Sequence, residues 1–275
     1  MLLDAHVHTV YGKTDMAYIK KEMARSGIDG AALFSHNPGT LASNDGYTAE
    51  ERLKEVLRLT KGEERLYPFF YINPIEPDAV SQVDLAVSMG IRGFKIICTT
   101  FYPSDERCIP VYKRIAESGR PLLLHSGILY DGKNASGDFN RPCNFEVLLS
   151  IDGLRFALAH VSWPWTDECI AVYGKFNNAR RRAGASAPSA EMFLDLTPGT
   201  PAIYRRGLME RLFFVGYDIE DNIIWGTDSF TERYSTERNM SIYARDKGIF
   251  QELRISPEVQ EKVFSGNLLR FLGEK

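Results

Sequence analysis

Eight times along the chain an apolar run of strand character gives way to a stretch with helical periodicity, and this alternation constrains the fold more than any other feature. Repeated strand-then-helix order is the sequence sign of a parallel sheet wrapped by helices. The expected strands are 2–8, 28–35, 66–73, 91–98, 121–127, 155–161, 191–197 and 222–228. Helical stretches fall near 15–26, 48–61, 77–89, 105–118, 143–150, 166–183, 201–214 and 236–247, with another at 257–272. Thr48 and Glu51 make a capping box ahead of Leu53, Val56 and Leu57, and Ser256-Pro257 sets a cap and a first-position proline before the last helix. The 275 residues show no second compositional region. A closed α/β barrel of the (β/α)8 TIM type, a single domain over 1–275, is therefore expected over an open doubly wound sheet, because closure leaves no sheet edge.

The polar stretches 128–142 and 229–235 read as loops over the active face. Residues 175–184, KFNNARRRAG, form the one dense basic run and read as a solvated helix face. Hydrophobic residues make up 44% and charged residues 25%, with a formal charge of −3, so nothing marks a nucleic-acid or anionic-membrane partner. A small-molecule partner is expected, with a homo-oligomer left open. Cys98, Cys108, Cys143 and Cys169 have no C-x-x-C spacing, and nothing resembling a signal peptide precedes the first strand, which points to the cytoplasm. No apolar run is long enough to span a bilayer.

The five histidines are distributed in a way that carries chemistry. His6 and His8 sit one residue apart on the first strand, so they share a face, about 6–7 Å apart at Cα. His125 falls late in the fifth strand, His160 late in the sixth, and Asp228 ends the eighth. In a barrel all these strand ends open on one face, where the fold places catalytic groups. Imidazole and carboxylate together suit zinc or a similar divalent ion, with His6, His8, His125 and Asp228 as protein ligands. An ion so held acidifies bound water, and Asp228 is the first choice to take the proton that water loses. His36, after the second strand, is open between rim packing and a substrate contact.

This pattern resembles the amidohydrolase superfamily: His-x-His on the first strand, His on the fifth and sixth, Asp on the eighth. The resemblance extends through Gly93-Phe94-Lys95, Leu124-His125-Ser126-Gly127, Ala159-His160-Val161-Ser162-Trp163, Gly226-Thr227-Asp228-Ser229 and Gly266-Asn267-Leu268-Leu269-Arg270-Phe271-Leu272-Gly273, nearly the whole chain. It is similar to the amidohydrolase-related branch, which holds metal-dependent hydrolases and decarboxylases such as aminocarboxymuconate-semialdehyde and γ-resorcylate decarboxylases. The resemblance implies one divalent ion, zinc first and manganese second. A second ion, bridged by a carbamylated Lys95 and held by His160, is the less favoured alternative. With one ion, His160 becomes a catalytic acid/base group or a carbonyl polariser, and Lys95 a cation for a substrate carboxylate. Trp163 joins Lys95 as a substrate-binding candidate, following Ser162, which stands where relatives usually carry glycine. The expected reaction is hydrolysis of an amide, lactone or ester bond of a small organic substrate; the alternative is non-oxidative decarboxylation of an aromatic or dienoic acid.

Overall fold

The computed structural model describes residues 1–39, 46–130, 136–184 and 189–274. Its strands are β1 (Leu3–His8), β2 (Gly30–Phe34), β3 (Leu66–Tyr71), β4 (Gly93–Ile96), β5 (Leu122–Leu124), β6 (Arg155–Leu158), β7 (Glu191–Asp195), β8 (Ile223–Ile224) and β9 (Ser229–Phe230). The helices are α1 (Met16–Ser26), α2 (Ala49–Thr60), α3 (Ala79–Ser88), α4 (Cys108–Glu117), α5 (Thr166–Ala183), α6 (Ala202–Phe214), α7 (Thr236–Glu252), α8 (Pro257–Glu261) and α9 (Asn267–Leu272). All strand pairings are parallel, in the order β8-β7-β6-β5-β4-β3-β2-β1-β9. β8 and β9 are two pieces of one arm. β8 pairs with β7, β9 pairs with β1, and between them the Ala5 amide donates to the Trp225 carbonyl at 2.9 Å. The sheet is thereby closed into the expected (β/α)8 barrel.

Alternation along the strands sorts the core into two layers. Val7, Leu33, Phe70, Phe94, Leu124 and Leu194 pack outward beneath the helices, whereas Leu3, Ala5, Phe34, Phe69, Leu123 and Phe193 fill the interior. Phe271 of α9 meets Phe193 at a ring separation of 5.0 Å, and its carbonyl accepts from Arg155 at the start of β6. The end opposite the strand C-termini is closed in this way. Helix starts follow the readable caps: Thr48 and Glu51 make the reciprocal capping box, and the Ser256 hydroxyl accepts from the Val259 amide.

Several expected elements are shorter or different. The stretch 143–150 forms a 3-10 segment, Pro142–Ser150, rather than an α-helix. The sixth strand stops at Leu158, because His160, Val161 and Ser162 all adopt positive φ and turn the chain away from the sheet. The eighth ends at Ile224, Asp228 takes a φ of 52°, and pairing resumes at Ser229 within the expected loop 229–235. The closing helix 257–272 is interrupted by a π-helical turn, Lys262–Gly266. Of the loop 128–142, residues 131–135 lie outside the described residues. The basic run ends α5, where Arg180 pairs with Glu191 and Lys175 with Glu146. Among the described residues no helix is long and apolar enough to cross a membrane.

Candidate metal centre and active site

The site begins with an irregularity in β1. Leu3 and Asp4 pair with Gly30 and Ala31, yet Val7 and His8 pair with Leu33 and Phe34, so β1 carries one extra residue. A β-bulge of this kind shifts the phase of alternation. Leu3 and Ala5 face the interior, and beyond the bulge His6 and His8 face it too, while Val7 turns outward. The buried Asp4 side chain holds the bulge. Its Oδ1 accepts from the His6 amide at 3.2 Å and the Thr227 amide at 2.8 Å, and its Oδ2 from the Thr227 hydroxyl at 2.7 Å and the Tyr234 hydroxyl at 3.2 Å. Burial pushes its pKa up to about 6 against the pull of those hydrogen bonds. Gly226 allows the approach, since a Cβ there would lie 3.0 Å from the His6 amide nitrogen.

His6 Nε2 then lies 3.1 Å from His8 Nε2, and Asp228 Oδ1 lies 3.4 Å from each. Behind them, His6 Nδ1 donates to Asp195 Oδ2 at 2.6 Å. A carboxylate only accepts, so this bond leaves the His6 lone pair on Nε2, aimed at His8 and Asp228. Two imidazoles and a carboxylate converging with one lone pair already oriented fit a divalent ion such as zinc or manganese. Burial would raise the Asp228 carboxyl, but the surrounding imidazoles of His160, His6 and His8 hold it well below the ordinary carboxylate range. Asp228 takes a positive φ, which aspartate tolerates better than most side chains.

The remaining sequence candidates surround this group without joining it. His125 is buried, with Nε2 at 3.3 Å from the Ile128 carbonyl and its ring 5.1 Å from that of His160; it is not among the three converging side chains. His160 sits past the end of β6, its ring 5.4 Å from His6 and its Nδ1 2.9 Å from Thr197 Oγ1. Lys95 projects inward from β4, wholly buried, with Nζ 3.5 Å from His6 Nε2 and 5.1 Å from the Phe34 ring centre. Burial draws its pKa down to about 8, against the opposing carboxylates of Asp195 and Asp228. Trp163 is half-buried and stacks on Tyr204 of α6, rings 5.1 Å apart. His36 joins the rim, where its carbonyl and that of Tyr71 accept from the buried Arg52 guanidinium.

His6, His8, His36, Lys95, His125, His160, Trp163 and Asp228 line a cavity of about 750 Å³ over the strand C-termini. Its wall at His160 depends on Gly199, where a Cβ would lie 2.6 Å from the His160 Cβ. Neither atom moves by side-chain rotation. Gly199→Ala is therefore expected to cost about 1–3 kcal/mol, the usual range for overpacking, in a urea titration; an unchanged midpoint would show that the backbone at 199 yields freely.

Asp195, Thr197 and Asp4 were not among the sequence candidates. Asp195 carried a usable signal, a lone carboxylate late in the apolar run of the seventh strand, the same placement that singled out Asp228.

The family model for amidohydrolases, Amidohydro_2, matches residues 4–273. No curated protein matches. Among solved structures the chain is similar to 5-carboxyvanillate decarboxylase from Sphingomonas paucimobilis, with a TM-score of 0.64 and 14% identity over 100% of this chain and 99% of that one. A probable 2-pyrone-4,6-dicarboxylic acid hydrolase from Acinetobacter baumannii gives 0.63 and 10% over 99% of each. The 4-oxalomesaconate hydratase of Rhodopseudomonas palustris gives 0.62 and 13%, over 99% of this chain and 96% of that one. These likenesses establish the fold, and the match to the family model over nearly the whole length establishes that the chain belongs to the amidohydrolase family.

Proposed function

We propose that this chain is a metal-dependent hydrolase that opens an amide, lactone or ester bond in a small cyclic or carboxylated organic substrate. The observation that carries this reading is the convergence of His6, His8 and Asp228 on the floor of the cavity, with the His6 lone pair set by Asp195. These three side chains would hold one divalent ion, which when bound supplies Lewis-acid polarisation and a more acidic water. Asp228, ionised and 29% exposed at its side chain, takes the proton lost by the attacking water and passes it to the departing heteroatom. His160, its ring 5.4 Å from that of His6, lines the same cavity as the second catalytic group. Lys95 offers a cation to a substrate carboxylate, and Trp163 supplies an apolar wall.

Metal-loaded protein incubated with panels of lactones, amides and hydroxybenzoates in ¹⁸O-labelled water tests the reaction. Incorporation of label into product is expected; carbon dioxide release without water uptake would replace hydrolysis by decarboxylation. His160→Asn is expected to keep its metal content while turnover falls by about 10²–10⁴-fold. Loss of bound metal in that variant would make His160 a ligand.

A further inference from the structure

His160 is tied to the rest of the site through one ring nitrogen. Nδ1 lies 2.9 Å from Thr197 Oγ1, whereas Nε2 has no hydrogen-bond partner among the described residues, and the ring lines the cavity. Thr197 itself is fully buried and its backbone is fixed on both sides: its amide donates to Asp195 Oδ1 at 2.9 Å, and its carbonyl accepts from Arg205 Nη1 at 3.2 Å. Among the described residues, His160 Nδ1 is the one hydrogen-bond partner of its hydroxyl.

A neutral imidazole carries one N–H and one lone pair, so the pair has two arrangements. With hydrogen on Nδ1, the hydroxyl accepts and its own hydrogen is buried without an acceptor. With the lone pair on Nδ1, the hydroxyl donates and no donor is left over. A buried donor without a partner is disfavoured far more than an unused lone pair, which gives the second arrangement a preference of about tenfold or more.

We infer that Thr197 is a positioning residue that fixes His160 as its Nε2–H tautomer, so that the ring presents a hydrogen-bond donor to the cavity. This rests on the hydrolase reading and deepens it in two ways. In that tautomer Nε2 has no lone pair for an ion, so Asp228 and His160 have separate tasks and Lys95 needs no carbamate to bridge to a second site. The neutral ring also keeps its proton: it donates a hydrogen bond to the substrate carbonyl oxygen as negative charge builds there, and Asp228 alone moves the proton from water to the departing group.

Nuclear magnetic resonance of zinc-loaded protein labelled with ¹⁵N-histidine reads the tautomer directly, with His160 assigned by the signals missing from His160→Asn. Expected are a protonated Nε2 and a lone-pair Nδ1 in the native protein, retained in Thr197→Ser and lost from Thr197→Val at unchanged zinc content. A protonated Nδ1 in the native protein, or a Thr197→Val spectrum identical to it, overturns the inference. If Thr197→Val does not fold, the native and Thr197→Ser spectra still decide. Because the spectrum needs no turnover, a protein that hydrolyses nothing in the panels defeats the functional reading while the tautomer is still settled.

Discussion

Replacing Asp195 with alanine is expected to weaken divalent-metal binding by about 10–100-fold, the usual effect of removing the group that orients a ligating histidine. The carboxylate does two things at once: Oδ2 accepts from His6 Nδ1 and Oδ1 from the Thr197 amide. Without it His6 is free to move its hydrogen to Nε2, which removes a lone pair from the converging set. Competition against a chelator of known affinity measures the loss, and far-ultraviolet circular dichroism separates it from unfolding. Asp195→Asn keeps an acceptor and falls between the two. Affinity unchanged in the alanine variant would remove Asp195 from any metal-orienting role.

The second large effect concerns a charge pair outside the cavity. Arg205 on α6 and Asp246 on α7 are both fully buried, joined by Nε–Oδ1 at 3.0 Å and Nη2–Oδ2 at 2.7 Å. The guanidinium also donates to the carbonyls of Leu196 and Thr197, and the Trp225 indole donates to Asp246 at 3.1 Å. Arg205→Met leaves Asp246 with Arg245 as its remaining cationic partner and strips two carbonyls of a donor. A loss of about 3–5 kcal/mol is expected, the range for breaking a buried pair from one side. Against a total stability of about 5–15 kcal/mol this is a large fraction. The shift of the urea midpoint measures it, and Arg205→Met/Asp246→Leu is expected to recover part of the loss because no unpaired charge remains. A single-variant loss below about 1 kcal/mol would show that water reaches the pair.

How much of this was legible in the sequence differs from residue to residue. The spacing of His6 and His8 guarantees a shared face, and the structure keeps it. Which face was not legible, because strict alternation from Leu3 would have turned both outward and only the bulge reverses that. His125 and His160 both lie just beyond short strands: the His125 amide still donates to the Ile96 carbonyl and its ring lies 5.1 Å from that of His160, whereas His160 points by way of three left-handed residues. Asp195 followed the same strand-end rule as Asp228 and could have been read from it. Arg205 and Asp246 could not, since each looks in sequence like any charge on a periodic helix, and their burial arises only where α6 and α7 cross over the end of β7.

The barrel is sealed between its first strand and its last arm, and the converging side chains straddle that seam: His6 and His8 on one side, Asp228 on the other, more than two hundred residues later. Two of the three donors belong to the beginning of the chain, and the third arrives only when the final arm docks. A partly wound barrel therefore has no complete set of donors, and an ion held by all three would act as a latch on closure, adding about 2.7 kcal/mol to stability at a hundredfold excess over its dissociation constant.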